Sequence, residues 1–570
     1  MQMQYAIRLG LLALISAMSH TMPASACGGL FCQNIPVDQA GEQILFHEDG
    51  EYVTAMVRIL YEGDAEDFSW VVPVPDTPKL KTGADTFFDE LDNSTQPIFT
   101  LNRDGDGGCP FGASDAGSST SGSPASSVST DDAENGGVNI EQELSVGPFE
   151  IQIVSSSNPN EMTTWLQDNN YDLSSRGEEL ITPYVNDGMK FVAVKLRSGQ
   201  SSGSIQPLIM KYKSRKPMVP IRLTAVAAME DMGVLVWLVS DARGVPDNYL
   251  HVVPNYTKLN WFTGPRNAYG SYQSLITDAM NEAGGQGFAT DYAGNIDSSI
   301  TGFMSSAGAL DAELAQLDTQ SSDSDFLASL YSNRFSEAMR QIYAQYLPLP
   351  QGQDESIYLE ALALMSVYTD DELAQARIDI RQAFIDVEIE PLRSSTALLP
   401  EGQYLTRLYT TLSADEMTLD PSFEFNPDMA AQSREREATL VENCVNDETQ
   451  WSLTLGKGTG RDGETVMNGV SRSPTAVPPA AASQSSVQST AKTSGSAMPQ
   501  IQVSHTFQRL NLDANGESID VDEQINTNED VDLVAVADDS SSNSFLGSIS
   551  HWWVFITMLL IGLRRLLSGL

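Results

Sequence analysis

Basic residues are scarce in this chain: 32 lysines and arginines stand against 76 acids, a formal net charge of −44. A nucleic-acid partner needs basic patches that displace counterions, so that class is excluded. Histidine is rarer still, with five in 570 residues. His20 falls in an apolar leader and His551 in the C-terminal apolar run, and of the rest only His47 and His251 belong to the segments that read as folded. A Ser–His–Asp or Cys–His site would have to use one of these two. There is no HExxH motif and no Walker loop, which removes the best-marked zinc proteases and nucleotide hydrolases. The four cysteines, Cys27, Cys32, Cys109 and Cys444, are too scattered for a zinc site. No catalytic residue and no cofactor-binding motif emerges, and the expectation is a protein that is not an enzyme.

What is present lies first at the two ends. Arg8 precedes the apolar run Leu9–Met18, and Ala24-Ser25-Ala26 offers the small residues that signal peptidase accepts, so residues 1–26 read as an export signal. Cleavage there leaves Cys27 first. A lipoprotein box would carry Leu where Ala24 stands, so plain cleavage is the expectation. Four cysteines in an exported chain suggest two disulfides with three possible pairings, Cys27–Cys32 with Cys109–Cys444 being the first choice. At the other end, residues 545–563 (Phe545 to Leu563) hold no charged residue, and nineteen residues at about 1.5 Å each nearly match a ~30 Å hydrocarbon core. Trp552 and Trp553 suit a membrane interface, and Arg564 and Arg565 mark residues 564–570 as the cytoplasmic tail. The expected location is the cell envelope: a single-pass membrane protein with its body outside. The tail is similar in plan to bacterial sorting tags, which makes a sorting protease a second partner. Ser540–Ser544 lacks the diglycine of such tags, however, and anchoring alone needs no such motif.

Between the ends the pattern predicts an α+β fold. Residues 27–260 read as an antiparallel β-rich domain with short helices, interrupted by a Gly/Ser-rich insertion at 112–137. Tyr52–Leu60 alternates, and Phe68–Pro75 (FSWVVPVP) alternates again after an acidic turn. Pro73 and Pro75 each remove an N–H on the same side, which predicts a sheet edge; the two strands are expected to pair. Pro220–Ala228 and Val234–Val239 flank Glu230–Gly233 in a hairpin pattern. Residues 261–455 read as mainly helical, with apolar spacing of three and four from Tyr272 to Met280, from Phe326 to Tyr346, over Ile357–Val367 and over Glu372–Val387. Residues 456–510 read as a disordered linker, and 511–544 as an acidic disordered segment holding ten acids and no Lys or Arg between 511 and 540.

Several runs, in order along the chain, resemble a bacterial family known as domain of unknown function 2330. They include Ala26–Gln33 (ACGGLFCQ), Gly63–Pro75 (GDAEDFSWVVPVP), Trp165–Tyr171 (WLQDNNY), Pro220–Asp241 (PIRLTAVAAMEDMGVLVWLVSD), Glu282–Gly294 (EAGGQGFATDYAG) and Leu405–Pro421 (LTRLYTTLSADEMTLDP). The resemblance spans about residues 26 to 430. It implies an exported bacterial protein and carries no activity with it.

The function expected is binding or structural, toward a protein or polymer ligand outside the membrane. The alternatives are a hydrolase built on acid pairs such as Glu66/Asp67 or Asp370/Asp371, and an accessory subunit of a membrane complex. Calcium is the one cation suggested. Asn102, Asp104 and Asp106 place oxygen ligands at alternate positions before Gly107, and Asn511, Asp513 and Asn515 repeat the pattern with Asp522 in the closing position. Neither run is a complete calcium loop, since Ala113 stands where the first would close. Calcium is expected to raise the melting temperature of the parent chain, and that rise should shrink in Asp104→Ala and Asp513→Ala. A melting curve unmoved by calcium in the parent removes both loops.

Overall fold

The computed structural model describes residues 38–470, except 63–67, 107–137, 172, 174, 198–204, 263, 298–299, 301, 303–304, 334–336 and 349–367, together with 485–488, 511–512, 518–519 and 531–532. In chain order the first half holds β1 (Asp38–Asp49), β2 (Tyr52–Glu62), β3 (Ser69–Val74), β4 (Lys79–Thr82), α1 (Asp85–Thr95), β5 (Ile98–Gly105), β6 (Asn139–Val146), β7 (Phe149–Ser155), α2 (Pro159–Asp168), α3 (Ser175–Asn186), β8 (Lys190–Leu196), β9 (Leu208–Lys213), α4 (Ile221–Thr224), β10 (Ala228–Ser240), β11 (Arg243–Pro246) and β12 (Leu250–Val253). Then come α5 (Gly264–Glu282), β13 (Gly287–Asn295), α6 (Ser305–Leu317), α7 (Asp323–Asn333), α8 (Glu337–Tyr346), α9 (Asp370–Phe384), a π-helical turn (Ile385–Ile389) and α10 (Glu390–Thr396). The chain returns to strands with β14 (Tyr404–Leu412), β15 (Phe423–Asn426), β16 (Glu435–Val445), β17 (Glu448–Leu455), β18 (Thr465–Val470), β19 (Ser486–Val487), β20 (Asn511–Leu512), β21 (Ser518–Ile519) and β22 (Val531–Asp532).

Alternation along the strands builds a layered body. A ten-stranded sheet runs in the order β22-β19-β12-β13-β14-β10-β1-β2-β9-β4. On its central strands Leu45, Leu235, Trp237 and Val239 enter one core, and Ile44, Phe46, Val234, Val236 and Leu238 enter another. The first core is closed by helices, through Phe87 and Phe88 of α1, Tyr272 and Ile276 of α5, and Ile380 of α9. The second is closed by a four-stranded sheet, β3-β8-β7-β6, whose Val72, Val74, Ile151, Val192 and Val194 face the large sheet. Its other face holds Val71, Val154, Phe191 and Ala193 against Trp165, Leu166 and Tyr184 of α2 and α3. Period-two burial on both faces of both sheets therefore yields helix, sheet, sheet, helix in succession. A second four-stranded sheet, β18-β17-β16-β5, adds Leu440 and Leu453 to the helix-side core.

The α+β reading holds, and several expectations change. The boundary set at residue 260 runs through the large sheet, because β13 and β14 pair with strands from the first half. The body is not wholly antiparallel: β1 lies parallel to β10, β12 to β13 and β5 to β16. The edge-strand prediction for Phe68–Pro75 is met, but β3 pairs with β8 rather than with its sequence neighbour β2. Trp70 is half-buried and Val71 to Val74 are buried, so the strand is scaffold. The expected hairpin around Glu230–Gly233 is absent. Its first arm is the helical turn α4, buried through Ile221 and Leu223, and its second joins the turn in one long strand, β10, with Asp231 at φ +55°. Residues 456–470 are part of the body through β18, and 485–488 reach the large sheet through β19, so neither stretch is linker.

The export signal, the insertion at 112–137, the Ile357–Val367 helix and the apolar run 545–563 lie outside the described residues. Among the described residues no helix is long and apolar enough to cross a membrane.

One polar contact locks the helix layer onto the sheet. Arg407 on β14 is fully buried; its guanidinium meets Asp92 of α1 at 2.5 Å and Asp291 of β13 at 3.2 Å, and it lies over the Trp237 ring. Tyr272 of α5 donates its hydroxyl to the same Asp291. Removing one member of such a buried pair leaves an uncompensated charge and costs about 3–5 kcal/mol. Arg407→Ala is expected to lose that much in urea unfolding, and a loss below about 1 kcal/mol would show that the cluster does not hold the layers together.

Candidate ligand-binding site

The bulge that presents Asp291 also shapes a cavity. In the pairing of β13 with β14 the register slips between Thr290 and Tyr292, leaving Asp291 as an extra residue. Such a bulge bends its strand and turns successive groups out of the ladder. The carbonyls of Thr290 and Asp291 consequently both accept from Nη2 of Arg436 on β16, at 3.3 and 3.0 Å. The Arg436 guanidinium takes further carbonyls from Ser433 and Glu435, and its Nε donates to the Tyr256 hydroxyl at 2.9 Å. This arginine is buried and amply hydrogen-bonded.

Beside it opens a cavity of about 850 Å³, walled by β11, β12, β13, the start of β16, the turn Lys457–Asp462 and β19. Arg243, His251, Thr290, Arg436 and Lys457 line it, and Asp462 is the only carboxylate among the described lining residues. His251 sits on β12 opposite Phe288 and is 1% exposed. Its Nε2 lies 2.7 Å from the Thr290 hydroxyl, while its Nδ1 is buried without a partner. Burial, and secondarily the Arg243 charge, push this imidazole down to about 3, so it is neutral at ordinary pH. Arg243 is 3% exposed, its Nη1 donates to the Ala430 carbonyl, and its Nε is buried without an acceptor. Burial lowers its pKa to about 10, so it stays cationic at neutral pH.

The turn between β17 and β18 fits the wall because of its glycines. Gly458 has φ +81°, and a Cβ there would lie 2.1 Å from the Glu435 carbonyl oxygen, so no other residue can occupy it. Thr459 locks the turn by donating to the Gly456 carbonyl at 2.7 Å. Sequence reasoning placed residues 456–510 in a linker and missed this wall. The signal available was the spacing of glycines in GKGTGRDG, residues 456–463.

Of the residues singled out from sequence, His251 alone comes to the cavity. His47 lies on β1 opposite Val239 and Thr54, half-buried, with burial lowering its pKa and a hydrogen bond to Gln403 opposing that. Asn102 and Asp104 are residues of strand β5, opposite Thr439 and Val441, rather than parts of a loop. Asp104 accepts from the Gly105 N–H at 2.8 Å, and both carboxylate oxygens of Asp106 accept from the Cys444 N–H, at 2.8 and 3.1 Å. Asn511 pairs with Ile519 in a short ladder, and Asp513, Asn515 and Asp522 lie outside the described residues. Among the described residues no group of three His, Cys, Asp or Glu side chains is placed to hold a metal ion. Asp370 and Asp371 begin α9 beside the Thr369–Glu372 capping box, a helix-start role. Glu66, Asp67, Cys27, Cys32 and Cys109 are outside the described residues. The pentapeptide 199–203 (GQSSG) has the spacing of a nucleophile elbow, but it joins strand β8 to strand β9, where an elbow joins strand to helix.

Residues 22–340 match a family described as "Uncharacterized protein conserved in bacteria (DUF2330)". The chain belongs to that family. No curated protein and no solved structure matches it. The DUF2330 region contains Arg243, His251 and Thr290, whereas Arg436, Lys457 and β19 lie C-terminal to it. The cavity is therefore a joint product of the DUF2330 region and of this chain's C-terminal strands.

The burial of His251 has a consequence in acid. In the unfolded chain an ordinary histidine takes up a proton near pH 6.5, and in the fold His251 does so only near 3. Between those values the unfolded state binds one more proton, so acidification favours unfolding through this group. His251→Gln should lose less stability than the parent as pH falls from 7 to 4, read by urea unfolding at each pH. Equal pH slopes in the two proteins would mean that His251 is not held neutral.

Proposed function

We propose that this DUF2330 protein is an exported, membrane-anchored binding protein of the cell envelope whose ligand enters the cavity beside His251. The observation that carries the ligand site is the cavity's chemistry. A hydrolase using acids would gather two desolvated carboxylates in its cleft; the described lining offers three cations, a neutral imidazole and the single acid Asp462. The desolvated carboxylate nearby, Asp291, is engaged by Arg407 and Tyr272 and does not line the cavity. Export and anchoring rest on residues 1–26 and 545–563 of the sequence.

Export also bears on the cysteines. We propose the pairing Cys109–Cys444, because Asp106, three residues before Cys109, already holds the Cys444 backbone at 2.8 Å. Cys27 and Cys32 would then form the small loop at the mature N-terminus.

The full chain carrying the photo-crosslinking residue benzoylphenylalanine tests these readings together. It is placed at Lys457 on the cavity wall or at Ile378, 63% exposed on α9. After irradiation in membranes, the expected result is a membrane-pelleted chain with an adduct at position 457 and none at 378. Unreduced peptides should join Cys109 to Cys444. A chain that stays in the soluble fraction overturns the anchor, adducts confined to 378 overturn the cavity as ligand site, and free Cys444 overturns the pairing.

A further inference from the structure

We propose that the cavity recognises a small oxyanion, a phosphate or carboxylate group, against the unpaired edge of Arg243; this rests on the reading of the cavity as a ligand site. In a chain with 76 acids, an acid beside a buried arginine would be easily supplied, yet Arg243 makes no ion pair with any described residue. Its one hydrogen bond is from Nη1 to the Ala430 carbonyl. Nε is sealed from water with no acceptor. Nη2 has no bonded partner among the described residues. A buried guanidinium without a counterion is costly by several kcal/mol unless something completes it. The donors left without an acceptor, Nη2 and the covered Nε beside it, have the fork geometry that takes two oxygens of a carboxylate or phosphate in parallel.

The surroundings agree in sign and in shape. Arg436 adds a fixed positive charge that its carbonyl partners do not neutralise. Lys457 stands on the wall, 61% exposed, with Glu435 at 3.3 Å as its exposed partner. His251 lines the wall as a neutral imidazole and so sets no charge against an anion. Against these stands Asp462, which accepts from Thr459 at 3.4 Å. About 850 Å³ is far more room than one oxyanion fills, so the anionic group is the recognised end of a larger molecule.

The test is thermal unfolding of the full chain in detergent with sodium phosphate, sodium citrate or sodium chloride at matched ionic strength. A saturable rise in melting temperature with phosphate or with citrate, absent with chloride, is expected, and the more effective salt identifies the head group. Arg243→Lys keeps the charge and loses the fork, and should weaken binding about tenfold or more. Lys457→Ala, on an exposed side chain, should unfold like the parent without ligand and bind about two- to fivefold more weakly. No rise above chloride in the parent overturns the proposal, and so does equal binding in parent and both variants, which would place the anion elsewhere. If crosslinking at 457 succeeds while both salts fail, the cavity binds a ligand of another class.

Discussion

Everything in this fold depends on central strands that are buried on both faces. β1 and β10 have no solvent side over Ile44–Phe46 and Val234–Val239, so consecutive residues feed two separate cores. A slip of one residue would exchange the contents of both cores at once, which is why the register is so tightly specified. The parallel pairing of these two strands follows from the same demand. It lets β14 and β13 flank β10 while β2 and β9 flank β1, and it puts the doubly buried runs Ile44–Phe46 and Val234–Val239 in the middle of a ten-stranded sheet.

One connected network of charges is built into this interior around a strand irregularity. Asp291, displaced by the bulge in β13, draws in Arg407 and Tyr272 by its side chain and Arg436 by its backbone carbonyl. On one side the network fastens α1 and α5 to the sheet. On the other it delivers Arg436 to the cavity wall. The layer-fastening contacts and the cavity wall thus share one irregularity in one strand, and a change at Asp291 would be felt on both sides.

The strands and most helices were legible because alternation and three-four spacing are local. The glycines that end α5, Gly284 and Gly285 at φ +65° and +75°, were legible for the same reason. What was not legible was partnership. Nothing in Phe68–Pro75 says that it pairs with Phe191–Lys195 instead of with the strand before it, since that choice is settled by which sheet must cover the Val72 and Val74 face. The apolar run Pro220–Ala228 looks like a hairpin arm, yet its residues are buried as a turn because Ile221 and Leu223 reach two different cores. The cavity was the least legible feature. Its walls come from residues 243 to 488, and the unpaired arginine that marks it is indistinguishable in sequence from any surface arginine.

The short strands near the C-terminus set the reach of the molecule. By composition, everything from 456 to 544 could serve as a flexible leash, and at about 3.5 Å per residue such a leash could extend ~300 Å. β19 lies along β12, and β22 along β19, so the chain is fastened to the sheet again at Asp532. Only about a dozen residues then separate the body from the apolar run at 545, a span of ~45 Å at most. Were that run to anchor the chain as proposed, the short tether would hold the body close to the membrane surface, within reach of molecules lying on it or leaving it.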